Sequence, residues 1–441
     1  MELDNVILSR MLTGMTLAFH IIFATIGVGV PVMISIAEFL GIKRKDPYYN
    51  LLARRWARGF TITVAVGVVT GTCIGLQLSM LWPSFMQVAG KIIALPLFME
   101  TFAFFFEAIF LGIYLYTWDR FKNKYVHWIL TFPIMIGSSA SAMFITMVNS
   151  FMNTPQGFTL KNGKMLNIDP IAAMFNPATP SKVFHVVTSA YAASAILLAA
   201  ITAVLYIRGK RGIYYQKALT LTMVTTFIFA TGTALAGDAS AKFLAKHQPE
   251  KLAAAEWHFE TSRGADLILF GTLDENNHIK NAIHIPKFLS FLAGGSFDTK
   301  VIGLNDFPKD EIPPLSVHYM FDLMVIIGFY LVLIPLVFLF IRRIKKWSEW
   351  NKPLLWAIVA GGPLGIVAIE LGWMYAELGR QPWILRGYMK VAEAATTGNG
   401  VGLTFILFAI LYFILAIISC VVLIKMFKNY PAEAEFNERF L

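Results

Sequence analysis

The chain has 441 residues, of which 57% are hydrophobic and 15% are charged. A soluble globular protein carries about 25% charged residues, so this chain lacks the polar surface to cover its body in water and is an integral membrane protein. The net charge of +10 does not indicate a nucleic-acid partner, because the basic residues cluster between apolar runs and form no basic face on a soluble domain.

Long apolar runs divide the chain into candidate membrane spans. Runs of about 20 apolar residues predict transmembrane helices, whereas outer-membrane barrels show alternating segments of about ten residues. The start, Met-Glu-Leu-Asp-Asn, lacks the positive segment of a cleaved signal peptide, so we expect the first span to be retained. The long runs predict an all-α bundle of nine spans, near residues 10–40, 60–82, 92–118, 128–151, 182–208, 218–243, 318–341, 353–375 and 400–426.

The distribution of Lys and Arg predicts how the bundle is oriented. One set of alternate connections, with the adjoining span ends, holds 21 of the 37 basic residues, and eight of the other 16 belong to the long segment 244–317 and its adjoining end. A segment of that length does not count under the positive-inside rule, which leaves 21 against eight. We therefore expect an outer N-terminus and a cytoplasmic C-terminus. The predicted organisation is helices 1–6 in 1–243, an extracytoplasmic loop in 244–317, and helices 7–9 with a cytoplasmic tail in 318–441.

Two histidines and a methionine lie inside the predicted spans. His20 lies about ten residues into the first span, His185 three residues into the fifth, and Met324 some six residues into the seventh. Each residue alone is compatible with ordinary packing. A His and a Met at similar depth also form a known axial pair for an electron-transfer haem, so both interpretations remain open on the residues alone.

Two spans carry glutamates spaced by seven residues. Glu100 and Glu107 lie in the third span, and Glu370 and Glu377 lie in and just past the eighth. Seven residues make about two helical turns, so each pair occupies one helix face with a separation of roughly 10 Å. Such ladders suit a proton relay, although glutamates that only pair with neighbouring polar groups would give the same pattern.

Small residues recur at intervals of four in the second span, at Gly67, Gly71 and Gly75. A stripe of this kind lets another helix approach closely. The spacing therefore predicts helix packing at this face.

The sequence around the end of the eighth span is specific enough to indicate a family. Residues 372–383 read Gly-Trp-Met-Tyr-Ala-Glu-Leu-Gly-Arg-Gln-Pro-Trp. This block resembles the GWxxxExGRQPW signature of subunit I of bd-type quinol oxidases. The resemblance continues in order through the whole chain, at His20, Glu100, Glu107, His185, Lys251, Glu256, the Gly-Leu-Asn-Asp-Phe-Pro stretch at 303–308, and Met324.

The resemblance implies a terminal respiratory oxidase, multi-pass in the bacterial cytoplasmic (inner) membrane, with two haem b and one haem d. It would oxidise quinol at the outer face and reduce dioxygen to water, generating proton-motive force by vectorial proton uptake without pumping. His185 and Met324 would ligate a low-spin haem b. His20 and Glu377 would each ligate one of the two high-spin haems, b and d, and which of them holds haem d stays open.

Further roles follow from the same resemblance. Lys251 and Glu256 would bind and deprotonate quinol, and Glu100 and Glu107 would deliver protons. A second large membrane subunit and a small single-span subunit would complete the enzyme, with no nucleic acid, and ubiquinol is not distinguished from menaquinol. The residues expected to support the haem pockets are Ser141, Trp373 and Arg380.

The chain departs from the family pattern near the predicted axial methionine. Members often have an Arg two residues before it, where this chain has Asp322. An ionised Asp would oppose extra electron charge on a reduced haem, so the potential of the low-spin haem is expected to differ. The loop 244–317 is the short form, without the insertion that some members carry.

Two other functions stay open on the residues alone. A proton or cation transporter would use the glutamate ladders and leave His20, His185 and Met324 as packing residues. A haem protein could instead pass electrons from quinol to another acceptor. At the level of single residues, Lys251 and Glu256 could form an ion pair on a solvated helix near 252–259.

Overall fold

A computed structural model describes residues 4–161, 163–344 and 350–440. Within these ranges nine helical segments are long and apolar enough to cross a membrane, which confirms the predicted all-α bundle. Lys345 and Lys346, which contribute to the charge count, and residues 1–3 of the predicted signal-free start lie outside the described ranges. The helices are α1 (Asn5–Arg44), α2 (Pro47–Leu81), α3 (Pro83–Tyr116), α4 (Lys124–Ile129), α5 (Thr131–Asn153), α6 (Pro170–Met174), α7 (Thr179–Ile207), α8 (Ile213–His247), α9 (Pro249–Ala255), α10 (Phe288–Gly294), α11 (Val317–Arg343), α12 (Lys352–Leu378), α13 (Val391–Ala394), α14 (Val401–Asn429) and α15 (Ala432–Phe440).

Several helices extend beyond the apolar runs that predicted them. Helix α2 begins at Pro47, well before the predicted residue 60, because Asp46 caps its first turn by accepting a hydrogen bond from the Tyr48 N–H. Helix α12 continues to Leu378, so Glu377 lies inside the helix and not past its end. Hydropathy detects the part of a helix at bilayer depth, whereas capping decides where the helix starts and stops.

Helices α7, α8, α11 and α12 pack into one group around a shared apolar core. Glycines permit the close contact between α12 and α7, since a Cβ at Gly362 would lie 2.6 Å from Ala200 Cβ. Helix α1 packs against α2, α5 and α7, and α3 packs against α5. The second group, α1 to α5, therefore joins the first mainly through α1 and α5 against α7.

The segment between α8 and α11 forms a compact loop. It contains α9, α10 and antiparallel strand pairs, and it packs on the ends of α8 and α11. The helix predicted near 252–259 instead spans Pro249–Ala255. Pro249 starts it, and Trp257 adopts a left-handed φ of 45° just after its end. The described strand pairs, including two outside this loop, are β1 (Thr159–Lys161) with β2 (Lys164–Leu166), β3 (Ser262–Arg263) with β8 (Lys300–Val301), β4 (Leu267–Leu269) with β7 (Ile283–Ile285), β5 (Thr272–Leu273) with β6 (Ile279–Lys280), and β9 (Trp383–Leu385) with β10 (Met389–Lys390).

One end of the bundle carries the loop and the segment that connects α12 to α14, and we call it the loop end. The two pieces meet there, since Arg386 Nε donates to Glu250 Oε1 at 2.7 Å. The start of α1 joins them through a hydrogen bond from Asn5 Nδ2 to Gly398 O at 3.2 Å. The starts of α1, α7 and α11 and the ends of α8 and α12 therefore share this end.

Candidate haem and quinol sites

His20 has one ring nitrogen fixed by a neighbour and the other left for a ligand. Its Nδ1 lies 2.8 Å from Thr70 Oγ1 on α2, and the Thr70 hydroxyl donates its proton to Val66 O at 2.9 Å. Thr70 therefore accepts a hydrogen bond from His20 Nδ1–H, and Nε2 of the neutral ring carries the free lone pair. Metal-ligating histidines are oriented by a hydrogen bond of this kind to their other nitrogen.

Within the described residues, only the middle glycine of the α2 stripe faces a side chain of another helix, so the close helix packing predicted from the spacing is not seen at the other two. A Cβ at Gly67 or Gly75 would meet nothing within 4 Å, and a Cβ at Gly71 would lie 3.3 Å from His20 Cε1. The sequence shows that these side chains are small, but it does not show which structure faces them. The result is a smooth helix face with open space beside His20, and this shape fits a flat macrocycle.

His185 and Met324 lie at matching depths below the loop end. His185 comes six residues after the start of α7 and Met324 seven residues after the start of α11, which places them about 9 and 10 Å along their helices. The two helices belong to the same packed group. The helix bounds are consistent with the predicted similarity in depth.

The surroundings of this pair fit a bound haem. A Cβ at Gly237 would lie 3.7 Å from His185 Cε1, and a Cβ at Gly372 would lie 3.1 Å from Met324 Sδ. Both ligand candidates are half-buried. His185 Nδ1 is buried and makes no hydrogen bond of good geometry within the described residues. A buried ring nitrogen without a hydrogen bond needs a hydrogen-bond partner or a metal, and the neighbouring glycine leaves room for one.

Glu377 belongs to a polar network that joins three helices. Arg380 forms a salt bridge with its carboxylate, and Asn149 of α5 donates a hydrogen bond to Glu377 Oε1. Lys182 of α7 donates to Asn149 Oδ1 at 2.8 Å. A carboxylate has about four lone-pair sites, so these two contacts leave Glu377 able to ligate iron.

Positive charge exceeds negative charge around Glu377. Arg380, Lys182 and Lys251 all act electrostatically on this one half-buried carboxylate. Cations taken out of water need compensating anions. Haem carries propionate carboxylates, so the surplus of cations fits a haem edge near this position.

Lys251 is buried on α9 and reaches toward this network. Its Nζ donates to Ala376 O at 3.0 Å and to Asn153 Oδ1 at 3.4 Å, and lies 5.0 Å from the centre of the Tyr375 ring. Burial holds the pKa of Lys251 well below its ordinary value, and the nearby charge of Lys182 lowers it further. The loop thus brings a hydrogen-bond donor close to Glu377.

Glu256 follows α9 directly and is also buried. Burial raises the pKa of Glu256 well above its ordinary value, and the Asp322 carboxylate raises it further. Its Oε2 has no hydrogen-bond partner among the residues that the structure describes. An ion pair of Lys251 with Glu256 on a solvated helix is wrong, because both side chains are buried and Lys251 binds other groups.

The glutamates of α3 face α5. Ser141 Oγ donates to Glu100 Oε1 at 2.9 Å, so this serine contacts the ladder. Glu107 is buried where Gly137 lets α5 approach, since a Cβ at Gly137 would lie 3.0 Å from Glu107 Cβ. In the described part of the chain no side chain hydrogen-bonds the Glu107 carboxylate.

Sequence reasoning missed a buried cluster further along α3, toward the end opposite the loop end. Tyr114 donates to Glu38 Oε2 at 2.7 Å, and His127 Nδ1 lies 2.5 Å from Glu38 Oε1. Tyr114 comes seven residues after Glu107, which itself comes seven after Glu100. The seven-residue spacing therefore continues for one more step, and this regularity could have revealed the cluster.

Two residues of the Glu377 network were also missed, namely Lys182 and Asn149. A lysine at the start of an apolar run could have drawn attention to Lys182, whereas an asparagine in a helix gives no comparable indication. Trp373 is half-buried one turn before Glu377. The structure thus brings Lys251, Glu377 and Arg380 together, while His20 and the α3 glutamates occupy other parts of the bundle.

The sequence and the fold of the chain are similar to those of known proteins. The model of the family "Cytochrome bd terminal oxidase subunit I" matches residues 8–431. The chain is 41% identical over 440 residues to a proposed cytochrome bd menaquinol oxidase subunit I of Bacillus subtilis (strain 168), covering 99% of each. It is 30% identical over 445 residues to the cytochrome bd ubiquinol oxidase subunit 1 of the same organism, covering 97% of this chain and 94% of the relative. The solved bd oxidase from Geobacillus thermodenitrificans has a TM-score of 0.94 and 62% identity, covering 97% of this chain and 99% of that one.

Proposed function

Because the chain belongs to the cytochrome bd terminal oxidase subunit I family, haem-containing quinol oxidases of bacterial membranes, we propose that it oxidises a membrane quinol and reduces dioxygen to water. The observation that carries the proposal is the set of buried residues at the loop end. Buried Lys251 and Glu256 lie there beside the cation-rich Glu377 network and next to the His185 and Met324 helices.

Three haems, two of type b and one of type d, would supply electron transfer from quinol to dioxygen when bound. His185 and Met324 would be the two protein ligands of the low-spin haem b. His20 would offer Nε2, and Glu377 a carboxylate oxygen, to the two high-spin haems. Arg380 and Lys182 would bind propionates, because they surround Glu377 with uncompensated positive charge.

The chain's own part in quinol oxidation is binding and deprotonation. Lys251 would donate a hydrogen bond to a quinol oxygen from a site with low exposure to water. Glu256 would accept a quinol proton, since a carboxyl with a raised pKa binds protons near neutral pH. The loop position and the excess of Lys and Arg in the opposite connections favour proton release on the outer side.

Protons for dioxygen reduction would enter from the cytoplasm and pass along α3. Glu107 lies about 14 Å from the α3 end that faces away from the loop end, and Glu100 lies one ladder step closer to the loop end. Proton uptake on one side and release on the other would generate proton-motive force without a pump. The enzyme would include a second large subunit, as the relatives' designation as subunit 1 indicates, and a small single-span subunit.

An absorption spectrum of the purified complex, combined with oxygen consumption, tests the proposal. We expect b-type bands and a far-red band from a chlorin after reduction, together with oxygen uptake driven by quinol. A complex that shows b-type bands but no chlorin band, and that takes up no oxygen, would favour electron transfer to another acceptor. A complex that contains no haem but moves protons or cations would favour a transporter.

A further inference from the structure

His318, the second residue of α11, is fully buried and uses both ring nitrogens. Nδ1 lies 2.6 Å from Ala255 O, and Nε2 lies 3.1 Å from Phe270 O. A backbone carbonyl only accepts hydrogen bonds, so each nitrogen has to donate one. A neutral imidazole has a single N–H, and the two contacts together therefore require the doubly protonated ring.

The surroundings of His318 suit a positive charge. Asp322 Oδ2, one turn further along α11, lies 3.4 Å from Nε2. The Trp257 ring stacks on the imidazole with centroids 4.0 Å apart and an angle of 23°. A carboxylate and an indole face both stabilise a buried cation. Asp322 is itself held in place, because Phe270 N–H donates to it at 2.6 Å.

The other polar groups near this ring belong to the loop and to α11. Glu256 follows Ala255 directly, and its carboxyl lies within electrostatic reach of Asp322. Tyr319 faces the edge of the His318 ring at 5.6 Å and donates its hydroxyl to Gly271 O at 2.8 Å. Asp322 is thus the acidic group that faces the ring, and neither Tyr319 nor Trp257 opposes the charge of the imidazolium.

We propose that His318 is a positioning residue, held as an imidazolium, that fixes two points of the quinol-binding loop on the helix of Met324 and offsets the charge of Asp322. This inference rests on the proposed function, because it assumes that Glu256 meets quinol and that Met324 meets the low-spin haem. One ring joins Ala255, next to Glu256, with Phe270, fifteen residues further along the loop. Loop geometry and local charge would therefore depend on a single side chain.

Solid-state NMR of the whole complex, labelled with ¹⁵N-histidine and ¹³C-alanine, tests the charge state directly. His318 is assigned through the contact of Nδ1 with the Ala255 carbonyl carbon. We expect both of its ring nitrogens to be protonated at neutral pH. A neutral tautomer, with one protonated and one bare nitrogen, would overturn the inference while leaving the proposed oxidase activity untouched.

Variants test the consequence for the site. In His318→Gln the single amide nitrogen can reach only one of the two carbonyls, so we expect the quinol KM to rise about tenfold, which corresponds to the loss of one charged hydrogen bond. It also leaves Asp322 uncompensated, which should lower the midpoint potential of the low-spin haem. Adding Asp322→Asn should restore the potential but not the KM, since the loop contact stays broken.

A second loop histidine provides the matched control. His258 is also buried but has a single carbonyl partner, with Nε2 lying 3.3 Å from Val301 O. His258→Gln should leave the haem potential at the wild-type value. Equal shifts of the potential in His258→Gln and His318→Gln, or no shift in the latter, would refute the specific role. A complex that lacks haem or oxygen uptake in the wild type would instead refute the proposed function.

Discussion

The proposed ligands differ in how their neighbours prepare them. His20 is oriented by Thr70, whose own proton is committed to the backbone of α2. Among the described residues, the buried Nδ1 of His185 has no partner for a good hydrogen bond, and Met324 faces a glycine. These differences suit different tasks, because a thioether needs only space whereas an imidazole needs a fixed tautomer.

Replacing Met324 by Leu tests the proposed ligation of the low-spin haem by His185 and Met324. Leucine keeps the apolar bulk but removes the sulfur, so the low-spin haem should lose one ligand and become high-spin. The visible spectrum of the reduced and oxidised complex reports this change. Met320→Leu, one turn earlier on α11, removes a thioether outside the pair and should leave the spectrum as in the wild type. An unchanged low-spin spectrum in Met324→Leu would exclude this residue as a ligand.

Replacing Glu107 by Gln tests proton delivery. Glutamine keeps the size and the hydrogen-bonding capacity of the side chain but cannot titrate, so steady-state oxygen reduction should slow by about tenfold or more while quinol still reduces the haems. Flash-initiated single-turnover kinetics should show the delay in the proton-coupled phase. Glu107→Asp, which retains a titratable group, should recover part of the rate.

The competing role for Glu107 is a hydrogen bond to a neighbouring helix or haem propionate. Within the described residues no side chain bonds its carboxylate, so a propionate is the partner left for that role. Glutamine could then replace it at a cost of about 1–3 kcal/mol of stability. Wild-type turnover with unimpaired proton uptake in Glu107→Gln would contradict the relay.

At the scale of elements, α9 shows how a short helix can concentrate a site. It has seven residues, and its tight packing buries both Lys251 and the adjoining Glu256. The same burial has opposite effects on the two groups, because it lowers the pKa of the lysine and raises that of the glutamate. The raised pKa makes the Glu256 carboxylate a stronger proton acceptor, which suits its proposed role with quinol.

Substitutions in α9 and at its end test quinol oxidation. Lys251→Met and Glu256→Gln should each cut quinol-driven oxygen consumption by about tenfold or more, because one removes the donor and the other the base. Artificial electron donors that reduce the haems directly should still support oxygen uptake. Lys246→Gln, at an exposed position near the end of α8, serves as the control. Equal losses with quinol and with artificial donors would argue against a quinol-specific role.

The elements were predictable to different degrees. The nine spans of the described residues follow from long runs of apolar residues, since a helix satisfies its own backbone hydrogen bonds in lipid. Their ends were less predictable, as in α2, where Asp46 and Pro47 start a helix in a polar region. The glycine face of α2 was assigned to packing, because spacing alone does not distinguish a neighbouring helix from open space.

The candidate site was predictable only where a family motif marks it. The sequence block at 372–383 identified Glu377 and Arg380, but Asn149 and Lys182 come from distant parts of the chain. Helix packing brings them together, and neither has a local sequence pattern that indicates its partner. The same holds for His318, whose two acceptors are backbone atoms of any residue type.

At the scale of the whole molecule, part of the apolar surface remains uncovered. Phe98, Phe102 and Phe105 of α3 are each more than half exposed, and α14 shows apolar side chains on most of its surface. Lipid or a second membrane subunit would cover these faces. Since α3 also carries the glutamate ladder, a subunit that covered its outer face would lie against the proposed proton route.

The end opposite the loop end is closed by the C-terminal helix α15. Glu435 pairs with Arg55 at 2.9 Å and with Arg58 at 2.5 Å, both on α2. Arg55 also donates to Tyr430 O at 2.6 Å, and Phe436 stacks on Tyr48 with ring centroids 4.3 Å apart. The last helix is therefore tied to the second by buried charges and an aromatic contact.

Replacing Glu435 by Gln should loosen this closure in a pH-dependent manner. Burial acts to raise the pKa of Glu435, but hydrogen bonds and charges of Arg58 and Arg55 outweigh it and hold the pKa below its ordinary value. A lowered carboxyl pKa contributes stability that is present above about pH 4.3 and is lost as the pH falls. Glu435→Gln should therefore cost on the order of 2 kcal/mol at pH 7, by leaving Arg55 without its counter-charge, and less at pH 4. Thermal unfolding of the detergent-solubilised complex at one scan rate measures the difference, with exposed Glu438→Gln as the control. A deficit that is equal at both pH values would mean that the carboxylate charge does not hold the helix.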